Sequence, residues 1–96
     1  MHALNWDDLR YFIEVVRSGN VTEASLRLGV NQSTVSRRIA QLEHQSGKAL
    51  FDRTAKGWVI TPIGEKVVAL AEEMANQAIA IHREIKSDAE NVSGLI

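Results

Sequence analysis

The 96-residue sequence contains no cysteine and a single proline, and its net charge at neutral pH is only −1. The absence of cysteine excludes a disulfide framework, a cysteine-ligated zinc site and a thiol nucleophile. No apolar run approaches the length of a bilayer-spanning helix, and the first residues lack the basic-then-apolar pattern of a signal segment. We therefore expect a cytoplasmic protein. A hydrophobic content of 45% in a chain of this length predicts one folded domain with one core.

Residue groupings that support catalysis are also missing. The three histidines, His2, His44 and His82, are far apart in the sequence and fall on different predicted elements. The sequence contains no HExxH motif, nucleophile elbow or glycine-rich phosphate loop. The pair Glu72 and Glu73 is typical of a helix surface rather than of a positioned acid and base. We therefore expect no enzyme activity, no metal ion and no cofactor.

The small net charge hides an uneven distribution of charge along the chain. Residues 27–61 carry six basic and two acidic side chains, a net charge of +4, whereas residues 1–26 carry −2 and residues 62–96 carry −3. A positive central segment between two acidic ones suits a module that places one face against phosphate. Ordinary scatter of charge is the alternative, and charge by itself does not decide between the two.

The stretch NQSTVSRRIAQLE, residues 31–43, predicts an amphipathic helix with a polar outer face. Val35, Ile39 and Leu42 recur at helical spacing and predict a buried stripe, and Asn31 can cap the helix start. The opposite side carries hydroxyls, amides and an arginine without a large apolar group. Because glutamine and arginine make paired hydrogen bonds to base edges, we predict a recognition helix for duplex DNA that ends near residue 46.

Two helices are predicted before this stretch. Residues 6–18 show apolar side chains at helical spacing, with Trp6 and Phe12 as packing residues of the core. A short helix over residues 21–28 follows, and Asn20 is placed to cap it. The short helix and the recognition helix together predict a helix-turn-helix.

A β-hairpin and a long helix are predicted after the recognition helix. Residues 50–53 and 58–60 contain aromatic and β-branched side chains on either side of a polar tip with Lys56, a pattern typical of the wing of a winged helix. Thr61 and Pro62 then form a strong helix start, since a hydroxyl cap precedes a proline at the first helical position. Nothing breaks this helix until about residue 89.

The long helix carries a narrow apolar stripe, which is typical of a coiled-coil seam and predicts dimerisation. The members of the stripe are Ile63, Val67, Leu70, Met74, Ala78, Ile81 and Ile85. Together the patterns predict a mainly α fold class, with a winged helix-turn-helix of three helices and a two-stranded wing over residues 1–61. A linker helix over residues 62–90 and a frayed end over residues 91–96 would complete the chain.

Three sequence runs follow one another in a fixed order. They are V-S-R-x-I-x-x-L-E at residues 35–43, G-x-x-L-F-x-R at residues 47–53 and T-x-x-G at residues 61–64. In these runs the chain resembles the N-terminal DNA-binding domain of LysR-type transcriptional regulators, over about residues 4–88. The resemblance implies linker helices that pair antiparallel in a homodimer, a tetramer in many full-length members, and a C-terminal domain that senses a small-molecule effector. Since that domain is absent from this sequence, we expect a fragment of a longer protein.

The resemblance and the outer face of the recognition helix together predict which residues bind DNA. Gln32 is expected to reach a base edge or a phosphate, and Arg37 to read a guanine through O6 and N7, unless it pairs with Gln41 or Glu43. Arg38 fits a phosphate contact and a structural ion pair equally well, and Arg53 either touches the DNA backbone or braces the hairpin. Thr22 either holds a phosphate or only caps the second helix. The other predicted contacts are Ser33, Thr34, Ser36 and Lys56.

These observations predict a dimeric transcription regulator that binds double-stranded DNA sequence-specifically. The third helix would enter the major groove and the wing would approach the flanking minor groove, and the resemblance implies an interrupted inverted repeat at a bacterial promoter. The alternative is a protein-interaction module whose long helix pairs with a partner and whose winged helix does not read sequence. The positive charge of residues 27–61 favours the first interpretation, because an interaction module gains nothing from it.

Overall fold

The chain folds into four helices and one hairpin, in the order helix, helix, helix, hairpin, helix. The computed structural model describes the backbone of residues 4–94 and the side chains of residues 4–89. The elements are α1 (Trp6–Ser18), α2 (Val21–Leu28), α3 (Gln32–Ser46), β1 (Phe51–Thr54), β2 (Gly57–Ile60) and α4 (Pro62–Gly94). The two strands pair antiparallel, with Phe51 opposite Ile60 and Thr54 opposite Gly57. The mainly α winged helix-turn-helix predicted from the sequence is confirmed.

Asparagine side chains cap the first three helices. Asn5, Asn20 and Asn31 each accept a hydrogen bond from a backbone N–H two or three residues further on, at 2.8, 2.7 and 2.9 Å. Each bond satisfies a donor of the first turn that has no partner within the helix. Glycines in the left-handed conformation end the same three helices. Local sequence therefore sets the bounds of the helix-turn-helix.

The hydrophobic core lies where α1, α3 and the hairpin meet. Phe12 is fully buried and packs edge-on against Phe51 with ring centroids 5.3 Å apart, and Phe51 contacts Trp58 at 5.4 Å. The three residues of the stripe predicted in α3 are at most 1% exposed. Trp6 also packs against the core, but it is only half-buried because it lies at the start of α1, at the edge of the domain. This core fixes the side of α3 that faces outwards.

The start of α4 is tied to the segment before β1. The Thr61 hydroxyl donates to the Ala49 carbonyl oxygen at 2.8 Å and accepts from the Gly64 N–H at 3.1 Å, so that one side chain caps α4 and anchors it. A Cβ atom at Gly64 would collide with the carbonyl oxygen of Leu50 and with the Ile60 side chain. Glycine at this position therefore allows α4 to lie directly against the base of the hairpin.

The body of the domain covers only the first part of α4. Ala71 is buried and Val67, Val68 and Ala75 pack partly against the core, whereas every side chain described from residue 76 onwards is exposed. The helix continues to Gly94, four residues beyond the predicted end at residue 90. The predicted fraying of residues 91–96 stays a prediction. Residues 95 and 96 lie outside the described range. Within that range, no helix combines the length and the apolar run that crossing a bilayer requires.

Candidate nucleic-acid interface

The outer face of α3 carries the side chains predicted to contact DNA. Gln32, Ser33 and Arg37 are exposed, and Thr34 and Ser36 are half-buried. The buried stripe on the other side of the helix holds this face towards solvent. Apart from the arginine, the face consists of short or flexible polar side chains, which allow a helix to approach the edges of base pairs closely.

In the first turn of α3, three donors converge on one oxygen. Asn31 Oδ1 accepts hydrogen bonds from the Thr34 N–H at 2.9 Å, the Ser33 hydroxyl at 2.7 Å and the Thr34 hydroxyl at 2.8 Å. Both hydroxyl hydrogens therefore point at the cap, and the hydroxyl oxygens are left to accept. Because a phosphate group can only accept, either hydroxyl has to leave Asn31 before it can donate to DNA.

Arg37 has no acidic partner among residues 4–89. The candidate along the helix, Glu43, is engaged elsewhere: its Oε2 accepts the N–H groups of Leu50 at 2.7 Å and Phe51 at 3.2 Å, and Arg53 binds the same carboxylate. The predicted alternative of an Arg37–Glu43 pair is therefore not formed in the described part of the chain. The Arg37 guanidinium keeps its donors available to a ligand.

The neighbouring Arg38 points towards α1 instead of outwards. Its Nη1 lies 2.8 Å from Asp8 Oδ1, its Nη2 lies 3.1 Å from Asp7 Oδ2, and its Cζ lies 5.0 Å from the centre of the Tyr11 ring. The hydrogen bond with the buried Asp8 carboxylate raises the pKa of Arg38 above its usual range. Of the two roles predicted for Arg38, the geometry favours the structural ion pair, and a DNA contact from this residue stays a prediction.

Arg53 is held against the hairpin in a similar way. Its Nη1 lies 3.0 Å from Glu43 Oε1 and donates to the Phe51 carbonyl oxygen at 3.2 Å. Its guanidinium lies over the ring of Trp58, 4.1 Å from the ring centre. These contacts connect α3, β1 and β2, so they favour the bracing role among the two predicted for Arg53.

Three of the six basic residues in the segment 27–61 thus form ion pairs, including Arg27 with Glu14 at 3.7 Å. In the described part of the chain, Arg37, Lys48 and Lys56 have no acidic partner, and all three are exposed. The sequence had not singled out Lys48 as a contact residue. The sequence did contain a signal for Lys48, since this residue directly follows Gly47, the glycine that ends α3.

The tip of the wing is ordered by its own threonine. The Thr54 hydroxyl donates to the Gly57 carbonyl oxygen at 2.8 Å and accepts from the Lys56 N–H at 3.2 Å. Lys56 therefore projects from a defined turn at the end of the hairpin. Thr22, the remaining predicted contact, is exposed in the first turn of α2 and on a different element from the tip.

The stripe predicted as a dimer seam is mostly exposed. The exposed fractions are 40% for Ile63, 62% for Leu70, 50% for Met74, 60% for Ile81 and 66% for Ile85, and Ala78 is also exposed, whereas Val67 packs against the core. Trp6 was predicted only as a core residue, yet it lines an open groove together with four members of the stripe. Its half-buried ring therefore borders the surface that the stripe forms.

The chain matches known proteins over most of its length. Residues 6–65 match the family model described as bacterial regulatory helix-turn-helix protein, lysR family. YeiE of Escherichia coli strain K12, an uncharacterized HTH-type transcriptional regulator, is 38% identical over 80 residues, which are 83% of this chain and 27% of YeiE. The HTH-type transcriptional regulator TfdS of Cupriavidus pinatubonensis is 38% identical over 71 residues, which are 74% of this chain and 24% of TfdS. The chain thus spans about a quarter of the length of these curated relatives.

Solved structures of similar proteins have the same architecture. The CbnR DNA-binding domain in a complex with DNA superimposes with a TM-score of 0.80 at 28% identity, over 88% of this chain and 98% of that one. Full-length LysG of Corynebacterium glutamicum also gives a TM-score of 0.80 at 28% identity, over 88% of this chain and 29% of LysG. The chain therefore belongs to the lysR family of bacterial regulatory helix-turn-helix proteins, and it carries the winged helix-turn-helix DNA-binding domain of that family.

Proposed function

We propose that this domain reads the sequence of duplex DNA by inserting α3 into the major groove. The observation that carries the proposal is the exposed guanidinium of Arg37, which has no acidic partner among the described residues and lies on a face without large apolar groups. A bidentate contact from arginine to guanine O6 and N7 is the commonest specific contact in the major groove. Gln32, five residues closer to the helix start, is the second candidate for a base edge.

Phosphate contacts would set the position of α3 in the groove. Ser33 and Thr34 are candidates, because their hydroxyls can exchange the Asn31 oxygen for a phosphate oxygen at little loss of hydrogen bonding. Ser36 lies one turn further along the same face. Thr22, in the exposed first turn of α2, can donate to a second phosphate beside the helix N-terminus.

The wing would extend the contact to the flanking minor groove. Lys56 projects from the ordered tip, and Lys48 lies at the far end of α3 from the cap. Both lysines are exposed cations without acidic partners in the described part of the chain, so they can neutralise phosphates and release counterions. Arg53 would hold the wing against α3 without contacting DNA, since its guanidinium already contacts Glu43 and Trp58.

Two copies of the domain would bind together through α4. Its exposed apolar stripe is a surface that a second α4 can cover, and antiparallel pairing of the two helices would place two copies of α3 around a twofold axis. Such a dimer matches an interrupted inverted repeat in DNA, and the length of α4 sets the distance between the half-sites. Binding both half-sites on one dimer raises affinity without any new contact to DNA.

The family supports a proposal about regulation that extends beyond this domain. The chain covers about 29% of full-length LysG, and we infer that the parent carries a C-terminal domain through which a small-molecule effector regulates DNA binding or transcription. A tetramer of the parent is part of the same proposal. Because its partner would be chromosomal DNA, we expect the protein in the bacterial cytoplasm.

A gel-shift titration at two salt concentrations tests the DNA-binding proposal. Wild-type chain should bind genomic fragments at low salt, and its affinity should fall steeply as salt rises, since each neutralised phosphate contributes a slope of about −0.9 in log K against log salt. The variant Lys56→Gln should reduce the magnitude of this slope, whereas Glu65→Gln, a charge change at an exposed position of α4 away from the apolar stripe, should not. An absence of binding at low salt would contradict the proposal.

The exposed stripe of α4 also supports a second candidate, a protein-interaction module whose winged helix does not read sequence. Such a module would dimerise or bind a partner through α4 and would ignore DNA at low salt. The same titration separates the two candidates, because only the DNA-binding candidate predicts a complex whose stability depends on salt.

A further inference from the structure

We propose that Arg38 is a positioning residue, which holds α3 at the rotation about its axis at which Arg37 can read a base. In this proposal Arg38 acts through Asp7 and Asp8 of α1 and does not contact DNA. The inference rests on the function proposed above, since it requires α3 to lie in a major groove. Two neighbouring arginines thus have different roles: Arg37 faces solvent and reads a base, whereas Arg38 faces α1 and positions the helix.

The ion pair joins α3 to α1 at a shielded position. Arg38 Nη1 donates to Asp8 Oδ1 at 2.8 Å, and its Nη2 lies 3.1 Å from Asp7 Oδ2. The Asp8 side chain is 2% exposed and the Arg38 side chain 28%, so water and salt compete only weakly for this pair. The ring of Tyr11, whose face attracts a cation, lies on the guanidinium at 5.0 Å.

Arg38 supplies all hydrogen bonds and ion pairs that join α1 to α3 within residues 4–89. The other contacts between these helices come from apolar residues such as Phe12, Val35 and Ile39. Apolar packing tolerates a small rotation of a helix, whereas a hydrogen-bonded pair has a narrow range of distances and angles. The ion pair therefore resists rotation of α3 against α1, as the Glu43 contacts do against the hairpin.

A small rotation of α3 is enough to disturb base reading. The surface of a helix lies about 5–6 Å from its axis, so a rotation of roughly 20° moves a surface group by about 2 Å. A displacement of this size breaks a hydrogen bond to a base edge, because donor and acceptor have to lie within about 3.2 Å. Arg37 directly precedes Arg38 in the chain. The ion pair of Arg38 therefore also fixes the direction in which Arg37 points.

A move of Arg38 to a phosphate would be unfavourable. It would leave the buried Asp8 carboxylate without its partner, and an uncompensated buried charge strongly destabilises a fold. Asp7 would keep its other partner, since Arg10 Nη2 lies 2.6 Å from Asp7 Oδ1. The buried member of the acidic pair thus retains Arg38 on the α1 side when DNA binds.

The substitution Asp8→Asn tests the proposal, because electrostatics and positioning predict opposite changes in DNA affinity. It makes the chain more positive by one charge, so long-range electrostatics predicts equal or tighter DNA binding. Positioning predicts weaker binding instead, by roughly 3- to 30-fold, with less discrimination at the base pair that Arg37 reads. The matched control Glu65→Gln makes the same charge change at an exposed position of α4 away from the apolar stripe and should keep the affinity within about twofold.

A second variant separates positioning from phosphate contact. Arg38→Gln should weaken binding and relax discrimination while the slope of log K against log salt stays unchanged, and Arg38→Lys should restore part of the discrimination because a cation again faces Asp8. Lys56→Gln is the comparison for a phosphate contact and should reduce the magnitude of the slope by about 0.9.

Folding of each variant is checked by circular dichroism, and binding is measured well below the unfolding midpoint. If Asp8→Asn does not fold, Arg38→Gln carries the test, since Arg38 at 28% exposed is the less buried partner of the pair. A folded Asp8→Asn or Arg38→Gln variant that binds as tightly as wild type and discriminates bases equally well would overturn the proposal. So would a reduced slope with a uniform loss in Arg38→Gln, which would identify a phosphate contact. A wild-type chain that binds no DNA would overturn the proposed function itself.

Discussion

Glu43 Oε2 lies 2.7 Å from the backbone nitrogen of Leu50 and accepts its hydrogen bond. The same oxygen accepts the N–H of Phe51 at 3.2 Å, and the carboxylate also binds Arg53. A single side chain of α3 therefore fixes the start of β1 and the arginine that stacks on the wing. Because this carboxylate lies between the recognition helix and the wing, it sets their relative position.

The first prediction concerns this carboxylate. Glu43→Gln should lower the free energy of unfolding by about 1–3 kcal/mol, because an amide offers one acceptor oxygen and no charge to three donors. Urea unfolding followed by circular dichroism measures the change. Glu73→Gln, an exposed glutamate on α4, is the control and should stay within about 0.5 kcal/mol of wild type. Equal stability of the two variants would show that the Glu43 contacts do not hold the wing.

The second prediction concerns the close approach of α4 to the hairpin. Gly64→Ala should destabilise the domain by about 1–3 kcal/mol, although alanine is the better helix former, because the new methyl group meets the Leu50 carbonyl oxygen and the Ile60 side chain. Lys66→Ala, on an exposed position of the same helix, should be nearly neutral. Thermal unfolding compares the two, and an increase in stability for Gly64→Ala would mean that α4 does not lie against Leu50.

The third prediction concerns pH. The hydrogen bond from Arg10 holds the pKa of Asp7 below its ordinary range, with a further contribution from the charge of Arg38. A carboxyl whose pKa is lower in the folded state stabilises the fold above its unfolded pKa, and this stabilisation is lost as pH falls through the folded pKa. Asp7→Asn should therefore be less stable than wild type near neutral pH and approach wild type in acid. Unfolding midpoints at about pH 6 and about pH 2.5 measure this, and a pH-independent difference would contradict it.

The fourth prediction concerns the dimer. Leu70→Asp places a charge in the exposed stripe of α4 and should abolish the dimer in sedimentation experiments. Ile79→Asp is the matched control, because Ile79 is also exposed, at 51% against 62% for Leu70, but lies nine positions further on, about 180° around the helix. Loss of the dimer in the Ile79 variant with retention in the Leu70 variant would place the interface on the other side of α4.

The sequence predicted those parts of the fold that local rules determine. Asparagine caps, terminal glycines and the Thr61-Pro62 start predicted the bounds of α1, α2 and α3 and the start of α4, since each depends on a few neighbouring residues. The strands were predicted less closely, because β1 covers Phe51–Thr54 instead of residues 50–53 and β2 begins at Gly57 instead of residue 58. The end of α4 was less predictable, because fraying depends on small differences in helix propensity. Contacts between residues that are far apart in the chain could not be predicted, because local patterns carry no information about them. Neither helical spacing nor charge indicates that Phe12 packs on Phe51.

The sequence predicted which polar residues form the candidate site, but it did not predict which of them face solvent and which form ion pairs within the domain. Arg37 and Arg38 are adjacent and chemically equal, and only the folded chain brings Asp8 to one of them, 30 positions away. Glu43 likewise reaches Arg53 across the turn between α3 and β1. The sequence therefore predicted Arg37, Arg38, Arg53 and Lys56 as binding residues but missed Lys48. Only the tertiary contacts distinguish the arginines that form ion pairs within the domain from the cations without an acidic partner among the described residues.

The most direct measurement is a binding profile of wild type and Arg37→Ala on a site selected from random DNA, with every base pair changed in turn. Wild type should lose about 1–3 kcal/mol at the base pair that Arg37 reads. Arg37→Ala should bind the selected site more weakly and no longer distinguish the bases at that position, while its preferences elsewhere stay the same. If Arg37→Ala weakened binding to all sequences equally and kept the wild-type profile, then Arg37 would contact only phosphate, and α3 would not read sequence through this residue.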